Sequence, residues 1–459
     1  MRISDDVGPA RAGEQLRTIP PPEAPVVDDR TRSASGDKGE RLARRCPRAL
    51  PGPPSTHRQG DMAVAALVNP SRLTAFVLCV GLAACGSGVF DDPGMVEGEV
   101  VETPFTQTFS IVERDGYRVV DIEASVVTWG GSAGGPPQRV RLVLVPRGQE
   151  SPPLTGDLAG ASLIRTPVRR IAVNDQPHEA MLRAIGVEDR IVAVGGHNSY
   201  HDDLRRLARA GEIQQIGYGW HMPPTLDALV AAGPDVLIAR MADLTHTQHM
   251  ERVESLGIPV VPTFIDAEPH YMGRVAWVLL MGLLTGKEAE AEAFVEMVAH
   301  EVDRLKSLAA TQPRRSILWA WFRGGGNRWA VTQRNSDAGL IRDANAELVL
   351  GAEDDPELDT FSDLSTERLL RDATGADCWM IRDPLSPKFD DRDVMARFKA
   401  YREGCVFWEP GRRHPAADTW EIWEMGEIRP DWRLADIVKM VHPELRDGEW
   451  RYLAQEAWD

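Results

Sequence analysis

The sequence is short of positive charge, of long apolar runs and of cysteine. Its 69 acidic and 52 basic residues give a formal net charge of −17, which argues against nucleic acid as a partner because nothing here would release phosphate counterions. The one apolar run that stands out, Leu73 to Ala84, is too short to span a hydrocarbon core of ~30 Å as a helix. The remaining composition, 43% hydrophobic and 26% charged, is typical of a soluble globular protein of two or three domains.

Two cysteines, Cys378 and Cys405, are the only ones after residue 85. Each begins an apolar stretch, "CWMI" and "CVFW", that predicts a buried strand. In an oxidising compartment two such thiols either pair or stay buried. A disulfide is geometrically possible if the two strands are neighbours. Two buried free thiols are the alternative.

The apolar run at Leu73 matches the central region of a signal peptide, with Arg72 on its N-terminal side. The residues Leu82 to Cys85 then resemble the bacterial lipobox, in which the cysteine is lipidated. We therefore predict a lipoprotein signal peptide over 62–84 and lipidation at Cys85. The alternatives are an ordinary signal peptide followed by a chance cysteine, or a buried core helix.

The segment before the signal, residues 1–61, is rich in Arg, Pro, Gly and Asp, and its composition predicts disorder. Met62 lies just before the signal, which favours a start codon at that position over a true cytoplasmic extension. After the signal, "GSG" and the residues that follow predict a flexible linker over 85–104. These patterns place the protein on the periplasmic side of a bacterial membrane, held by a lipid anchor only.

The pattern over 105–165 predicts a β-rich N-terminal addition. Two strand-like runs flank Asp115-Gly116, a dipeptide typical of a tight hairpin, and "QRVRLVLVPRG" predicts a further strand. From residue 166 short apolar strands alternate with amphipathic helices, as in "RIVAVGG" followed by "HDDLRRLARAG". That alternation predicts a parallel sheet with helices on both faces.

The run from Glu268 to Ala310 is helical in pattern apart from a break at Thr285-Gly286. Its second part has a one-sided apolar stripe, and its length of about 36 Å at 1.5 Å per residue suffices to join two domains. The predicted fold class is α/β, with two doubly wound lobes joined by one long spine helix and a small β-rich addition before them. The boundaries are 166–284 for the first lobe, 285–311 for the spine and 312–459 for the second lobe.

The order of these segments resembles the substrate-binding proteins of ABC importers, in the helical-spine class that serves iron-siderophores, haem and cobalamin. The resemblance covers roughly Phe105 to the C-terminus and rests on several stretches in the right order. They are "RIAVNDQPHEAMLRAIGVEDRIVAVGG", "IGYGWHMPPTLDALVAAGPDVLIA", "EPHYMGRVAWVLLMGLLTGKEAEAEAF", "DLSTERLL" and "DTWEIWEMGEIRPDWRLADIVKMVHPEL".

The resemblance implies a carboxylate on each lobe that docks into an arginine pocket of the permease. Asp227 and Glu367 occupy those positions here, although the family usually has Glu at the first. Two anions held apart on a rigid scaffold would select a partner with matching cations and set its orientation. The alternative is that both are solvated residues near a helix N-terminus.

The ligand is expected between the lobes, where the loops after the strands converge. These loops are rich in Trp, Tyr, His and Arg, which suits a large flat or rigid ligand such as a metal chelate or a macrocycle, and the arginines Arg240, Arg323 and Arg382 could neutralise an anionic one. Core packing is the alternative role for each tryptophan. The predicted ligand contacts are Tyr200, Trp220, Arg240, Trp329 and Trp420.

Histidines in the first-lobe loops could include a metal or haem ligand. No cysteine joins them and no "HExxH" is present, so we predict no metal site and no cofactor. The stretch "RGGGNR" lacks the Lys-Ser/Thr of a phosphate-binding loop, which excludes nucleotide binding and favours a flexible turn before "RWAVT". The histidines concerned are His197, His201, His221, His246 and His249.

The predicted function is that of a monomeric extracytoplasmic binding protein, not an enzyme, that captures an iron(III)-siderophore-type complex and delivers it to an ABC permease. Cobalamin or haem in the same role is the alternative. A secreted metal-dependent hydrolase is a further possibility, and should show ligands that converge on one point. A surface adhesin or scaffold that presents the β-rich addition is another.

Overall fold

The computed structural model of the chain describes residues 98–455, except 128–132, 218–222, 243, 325–326, 352–360 and 382–387. The predicted signal peptide, Cys85 and most of the predicted linker therefore lie outside the described residues. Within the described ranges no helix is long and apolar enough to cross a membrane. Residues 86–459 belong to one compact unit.

The N-terminal addition is a five-stranded sheet in the order β1-β2-β3-β4-β5, antiparallel except for the parallel pair β4 and β5. The predicted hairpin is present, since Arg114 pairs with Tyr117 across Asp115 and Gly116, and Gly116 has a φ of 86° that favours glycine. The strands are β1 Glu99–Val101, β2 Phe109–Arg114, β3 Tyr117–Val127, β4 Ala133–Pro146 and β5 Ser162–Thr166.

A buried glutamate fastens this sheet to the helical part of the molecule. The carboxylate of Glu268, only 2% exposed, accepts hydrogen bonds from Thr106 Oγ1 at 2.6 Å, from the Gln107 amide at 3.1 Å and from Trp277 Nε1 at 3.1 Å. Beside it, Phe109 packs edge-on against Trp277 with ring centroids 4.9 Å apart. The addition therefore shares one continuous core with the first lobe.

The first lobe contains a five-stranded parallel sheet in the order β10-β9-β6-β7-β8. From β6 the chain adds β7 and β8 on one side of the sheet, and then β9 and β10 on the other side. The sheet therefore has a topological switch point between β6 and β9. Its strands are β6 Ile171–Val173, β7 Ile191–Val194, β8 Gln214–Gln215, β9 Val236–Arg240 and β10 Val260–Thr263. Its helices are α1 Gln176–Ala184, α2 Asp202–Ala210, α3 Leu226–Ala232 and α4 Leu244–Ser255.

Two helices follow the first lobe, α5 Tyr271–Thr285 and the spine helix α6 Glu288–Ala309. The break predicted at Thr285-Gly286 is present, and Gly286 caps α5 with a φ of 70°. The 22 residues of α6 give a length of about 33 Å at 1.5 Å per residue. The predicted stripe faces the core, since Val295, Val298, Val302 and Leu305 are all buried on α6.

The second lobe is built on a mixed seven-stranded sheet. Strands β11, β13, β15 and β16 run parallel to one another. At the edges, β12 pairs antiparallel with β11, β14 pairs antiparallel with β12, and β17 pairs antiparallel with β16. The strands are β11 Arg315–Phe322, β12 Arg328–Thr332, β13 Ala346–Leu348, β14 Phe361–Ser365, β15 Cys378–Ile381, β16 Val406–Trp408 and β17 Ala454–Gln455.

Among the described residues of this lobe, six α-helices accompany the sheet, and the last of them, α12, packs against both α6 and α7. They are α7 Ala338–Asp343, α8 Thr366–Asp372, α9 Arg392–Met395, α10 Lys399–Arg402, α11 Met425–Ile428 and α12 Pro430–Val441. The architecture is thus the predicted α/β fold: two lobes with separate sheets, a long helix between them, and a β-rich addition.

Cys378 and Cys405 form a disulfide, with their Cα atoms 4.8 Å apart. Cys378 begins β15 and Cys405 directly precedes β16, which is the parallel neighbour of β15. Of the two states that the sequence left open, the structure contains the paired one.

Candidate ligand-binding site

A buried ion cluster fills the switch point of the first sheet. Arg240, the last residue of β9, donates to Asp175 Oδ2 at 2.8 Å and bridges both carboxylate oxygens of Asp266 at 2.7 and 2.8 Å. Asp175 follows β6 and caps α1, so the two strands on either side of the switch point are tied together here. Arg240 is only 8% exposed.

The shared arginine acts unequally on its two carboxylates. Burial raises the pKa of Asp175 above its usual value in spite of the attraction of Arg240. Burial also acts to raise the pKa of Asp266, but the charge and hydrogen bonds of Arg240 outweigh it and hold that pKa below its usual value. Of the two carboxyl groups, Asp266 therefore keeps its negative charge to lower pH.

An arm of the second lobe reaches the mouth of the first lobe. We name residues 409–429, which connect β16 to α12, the clasp. Within it α11 packs against α1 and α5. Gln176 Nε2 donates to Thr419 Oγ1 at 3.0 Å, and the amide of Tyr200 donates to Glu424 Oε2 at 2.7 Å. Both ends of the clasp belong to the second lobe, so these bonds join the lobes.

A second ion cluster lies beneath the clasp and also joins the lobes. Asp337, at the start of α7, is 1% exposed and pairs with Arg274 of α5 at 3.2 Å and with Arg433 of α12 at 3.0 Å. Arg274 also pairs with Glu427 of the clasp at 2.9 Å. Arg433 Nε lies 3.7 Å from Glu409, where the clasp begins. These buried charges fix α5, α7, α12 and the clasp relative to one another.

The clasp carries aromatic and guanidinium groups close to one another. Trp420 and Trp423 have ring centroids 4.7 Å apart, and the Arg413 guanidinium lies 5.6 Å from the Trp420 ring. Trp423 is 36% exposed, whereas Trp420 is 6% exposed. Arg412 Nε lies 3.2 Å from a carboxylate oxygen of Glu421. Tyr200 is half-buried and stands edge-on to the His414 ring at 5.4 Å.

The structure brings together only some of the predicted ligand contacts. Tyr200 lies at the junction between the clasp and the first lobe, whereas Trp420 lies on the clasp and packs with Ile422 and Tyr452. Arg240 is held in its ion cluster, and Trp220 lies outside the described residues. Trp329 is 2% exposed in a separate core of the second lobe, where its Nε1 donates to Thr366 Oγ1 at 3.0 Å.

The two predicted docking carboxylates occupy equivalent positions. Asp227 is the second residue of α3 and Glu367 the second residue of α8, and both are exposed. A hydrogen bond with the Ser365 hydroxyl holds the pKa of Glu367 below its usual value, so this side chain stays anionic at neutral pH. The two helices belong to different lobes.

The remaining candidates are dispersed. His197 is exposed and lies 3.3 Å from Gln215, His249 is half-buried on α4, and Arg323 lies 3.4 Å from Asp363. His221 and Arg382 lie outside the described residues, and for His246 only the backbone is described. Over the described ranges no group of three or more His, Cys, Asp or Glu side chains is arranged to hold a metal ion.

Residues 171–411, more than half of the chain, match the family model described as "Periplasmic binding protein". The chain belongs to this family. The match begins at β6 and ends inside the clasp, so it includes the first lobe, the spine helix and most of the second-lobe sheet. No curated protein matches this periplasmic binding protein significantly.

Solved structures similar to this periplasmic binding protein include three of bacterial origin. A periplasmic haem-binding protein from Pseudomonas aeruginosa is 18% identical, with a TM-score of 0.47, and the alignment covers 63% of this chain and 98% of that one. A possible iron-binding periplasmic solute-binding protein from Staphylococcus epidermidis is 14% identical, with 60% and 100% covered and a TM-score of 0.47. The periplasmic haem-binding protein of Vibrio cholerae is 18% identical, with 57% and 96% covered and a TM-score of 0.43.

The sequence analysis missed several residues that join the lobes, among them Gln176, Thr419 and Glu424. Gln176 and Thr419 are 243 positions apart, and nothing local to either signals the pairing. Glu424 carried one usable signal. It is a carboxylate in the run "WEIWEM", where aromatic and aliphatic neighbours indicate burial.

Proposed function

We propose that this periplasmic binding protein is the extracytoplasmic component of an ABC importer, and that it captures an iron(III)-siderophore-type complex between its lobes. The observation that carries the proposal is the clasp, which extends from the second lobe to the loops at the carboxyl ends of the first-lobe strands. Ligands of open α/β sheets bind at that edge. The proposal includes a lipid anchor at Cys85 and delivery to a permease.

The chemistry at the clasp junction suits an anionic chelate with aromatic groups. Tyr200 offers a half-buried ring, and Trp423 exposes about a third of its surface beside Trp420. Arg412 and Arg413 bring partly exposed guanidinium groups with side-chain exposures of 47% and 65%. Aromatic faces stack on flat chelating groups, and guanidinium groups pair with their oxygens. Of the predicted contacts, we therefore propose Tyr200 as the principal one.

Replacement of Tyr200 by alanine should weaken chelate binding about tenfold, or about 1.4 kcal/mol, because its half-buried ring stands at the junction beside His414 of the clasp. The measurement is tryptophan-fluorescence quenching on titration with ferric catecholate and ferric hydroxamate complexes. The matched control is Tyr117→Ala, the same change in the N-terminal sheet, which should leave the affinity unchanged. Wild-type protein that binds no chelate of either class, or equal affinity of the Tyr200 variant, would contradict the proposal.

A further inference from the structure

Two glutamates and a histidine meet where the clasp touches the first lobe. Glu179 lies on α1 and is 2% exposed, and Glu424 lies on the clasp and is 0% exposed. Glu424 Oε1 is 3.0 Å from His201 Nε2, and Glu424 Oε2 accepts the Tyr200 amide. The cluster thus contains groups from both sides of the lobe junction.

Each of the two carboxyl groups has an oxygen atom without a hydrogen-bond partner among the described residues. Ser199 acts to lower the pKa of Glu179, but the Glu179 Oε2 atom is buried and has no hydrogen-bond partner in the part of the chain that the structure describes. Glu424 Oε1 and His201 Nε2 are close but not aligned as a hydrogen bond. A buried carboxylate in this situation carries a large desolvation cost, which a bound proton removes.

Charged groups on α1, on α2 and on the clasp also act on the cluster. Asp175 at the start of α1 raises the pKa of Glu179, and Glu179 and Glu421 raise that of Glu424. Arg183 on α1 is the cation that favours the charged form of Glu424. Around His201 the charged groups are Arg183, Asp202, Asp203 and Arg205.

The balance of these effects favours neutral side chains. Burial, with Asp175 nearby, raises the pKa of Glu179 to about 8. Burial and the charge of Glu179 raise the pKa of Glu424 well above its usual value. Burial, with Arg183 nearby, lowers the pKa of His201 to about 4. At neutral pH these effects therefore favour a protonated Glu179 and a neutral His201 imidazole, and they shift Glu424 toward its protonated form.

We propose that Glu179, Glu424 and His201 form a proton-operated latch, which holds the clasp on the first lobe while the two carboxyl groups are protonated and releases it when they ionise. The consequence for ligand exchange rests on the proposed function, because the clasp borders the proposed binding site. The latch itself depends only on contacts between the clasp and the first lobe.

The direction of the pH effect follows from linkage. Release of the clasp exposes the carboxyl groups to water, where their pKa returns to about 4.5. Between that value and about pH 8, the closed form keeps a proton on Glu179 that the open form loses, so rising pH favours opening by up to about tenfold per unit through this group. The raised pKa of Glu424 acts in the same direction. Protonation of His201 has the opposite effect, because the open form binds this proton more readily than the closed form and rising pH then favours closure. This effect acts only below about pH 6.5, where the imidazole of the open form gains its proton.

Hydrogen–deuterium exchange on the ligand-free full-length protein tests the latch between pH 6.5 and 8. The readout is the opening constant of peptides that cover 198–204 and 419–428, corrected for the intrinsic exchange rate at each pH. For the wild type we expect this constant to rise steadily with pH, by about tenfold per unit near pH 6.5. The variants Glu179→Gln and Glu424→Gln should each lower the slope, and the double variant should show no slope.

The matched control is Asp418→Asn, which neutralises an exposed carboxylate on the same clasp and should keep the wild-type slope. A wild-type opening constant that does not change with pH overturns the latch, and so does a wild-type slope in the double variant. Because no chelate is present in this experiment, its failure is distinguishable from a failure of chelate binding, which the fluorescence titration measures separately.

Discussion

Replacement of Asp337 by alanine lowers the free energy of unfolding by about 3–5 kcal/mol. The physical reason is that Asp337 is buried and compensates two buried arginines, Arg274 at 3.2 Å and Arg433 at 3.0 Å. After its removal, the ion pairs that remain include Arg274 with Glu427 and Arg433 with the more distant Glu409. Since Arg274 and Arg433 lie on α5 and α12, the loss also weakens the joint between the lobes. Urea unfolding followed by circular dichroism measures the change.

Two variants make this result specific. Asp337→Asn keeps the shape of the side chain and removes its charge, so this variant should show most of the decrease in the free energy of unfolding that Asp337→Ala shows. Asp363→Asn removes an exposed carboxylate that faces Arg323 at 3.4 Å, and should cost less than about 1 kcal/mol because surface pairs contribute little. Equal stability of the wild type and the Asp337→Asn variant would show that the buried ion cluster does not support the lobe junction.

The double variant Asp227→Ala/Glu367→Ala should reduce ligand import more than tenfold without any change in ligand affinity. Both carboxylates are exposed at the second position of a seven-residue helix, one on each lobe, and we propose that each docks on a cationic site of the permease. Loss of both removes the charge complementarity that orients the complex. The measurement is uptake by host cells of the radiolabelled ferric chelate that binds best in the fluorescence titration.

The matched control for docking is Asp393→Ala, because Asp393 is also exposed at the second position of a short helix, α9. It should import at the wild-type rate. Normal import by the double variant, or a parallel loss of affinity and import, would contradict a docking role for Asp227 and Glu367.

The sequence predicts the local elements of this fold well, because each has a cause within a few residues. Asp115-Gly116 predicts the hairpin, Gly233 ends α3 in the left-handed conformation, and Gly286 separates α5 from α6. The antiparallel strands β14 and β17 were missed. They are short, and their pairing with β12 and β16 depends on long-range contacts that periodicity does not encode.

The candidate site is predictable only as a set of loops. Aromatic and arginine content located the clasp, but it does not distinguish Trp423, which is exposed, from Trp329, which packs in the core. Arg240 could have faced a ligand, and it instead pairs with Asp175, 65 positions earlier in the chain. Glu424 is likewise buried in contact with Tyr200, which lies 224 positions earlier in the chain. Side-chain roles at a junction between lobes depend on tertiary contacts.

Native mass spectrometry of the protein purified from its own host is the most direct test of the proposal that a metal chelate binds between the lobes. We expect one bound complex per chain, with the mass of a ferric chelate, and a polypeptide that begins at a lipidated Cys85. Release of the complex by Tyr200→Ala would place it at the clasp junction. A protein that carries no small molecule, and that binds none of the ferric chelates offered to it, would contradict the account.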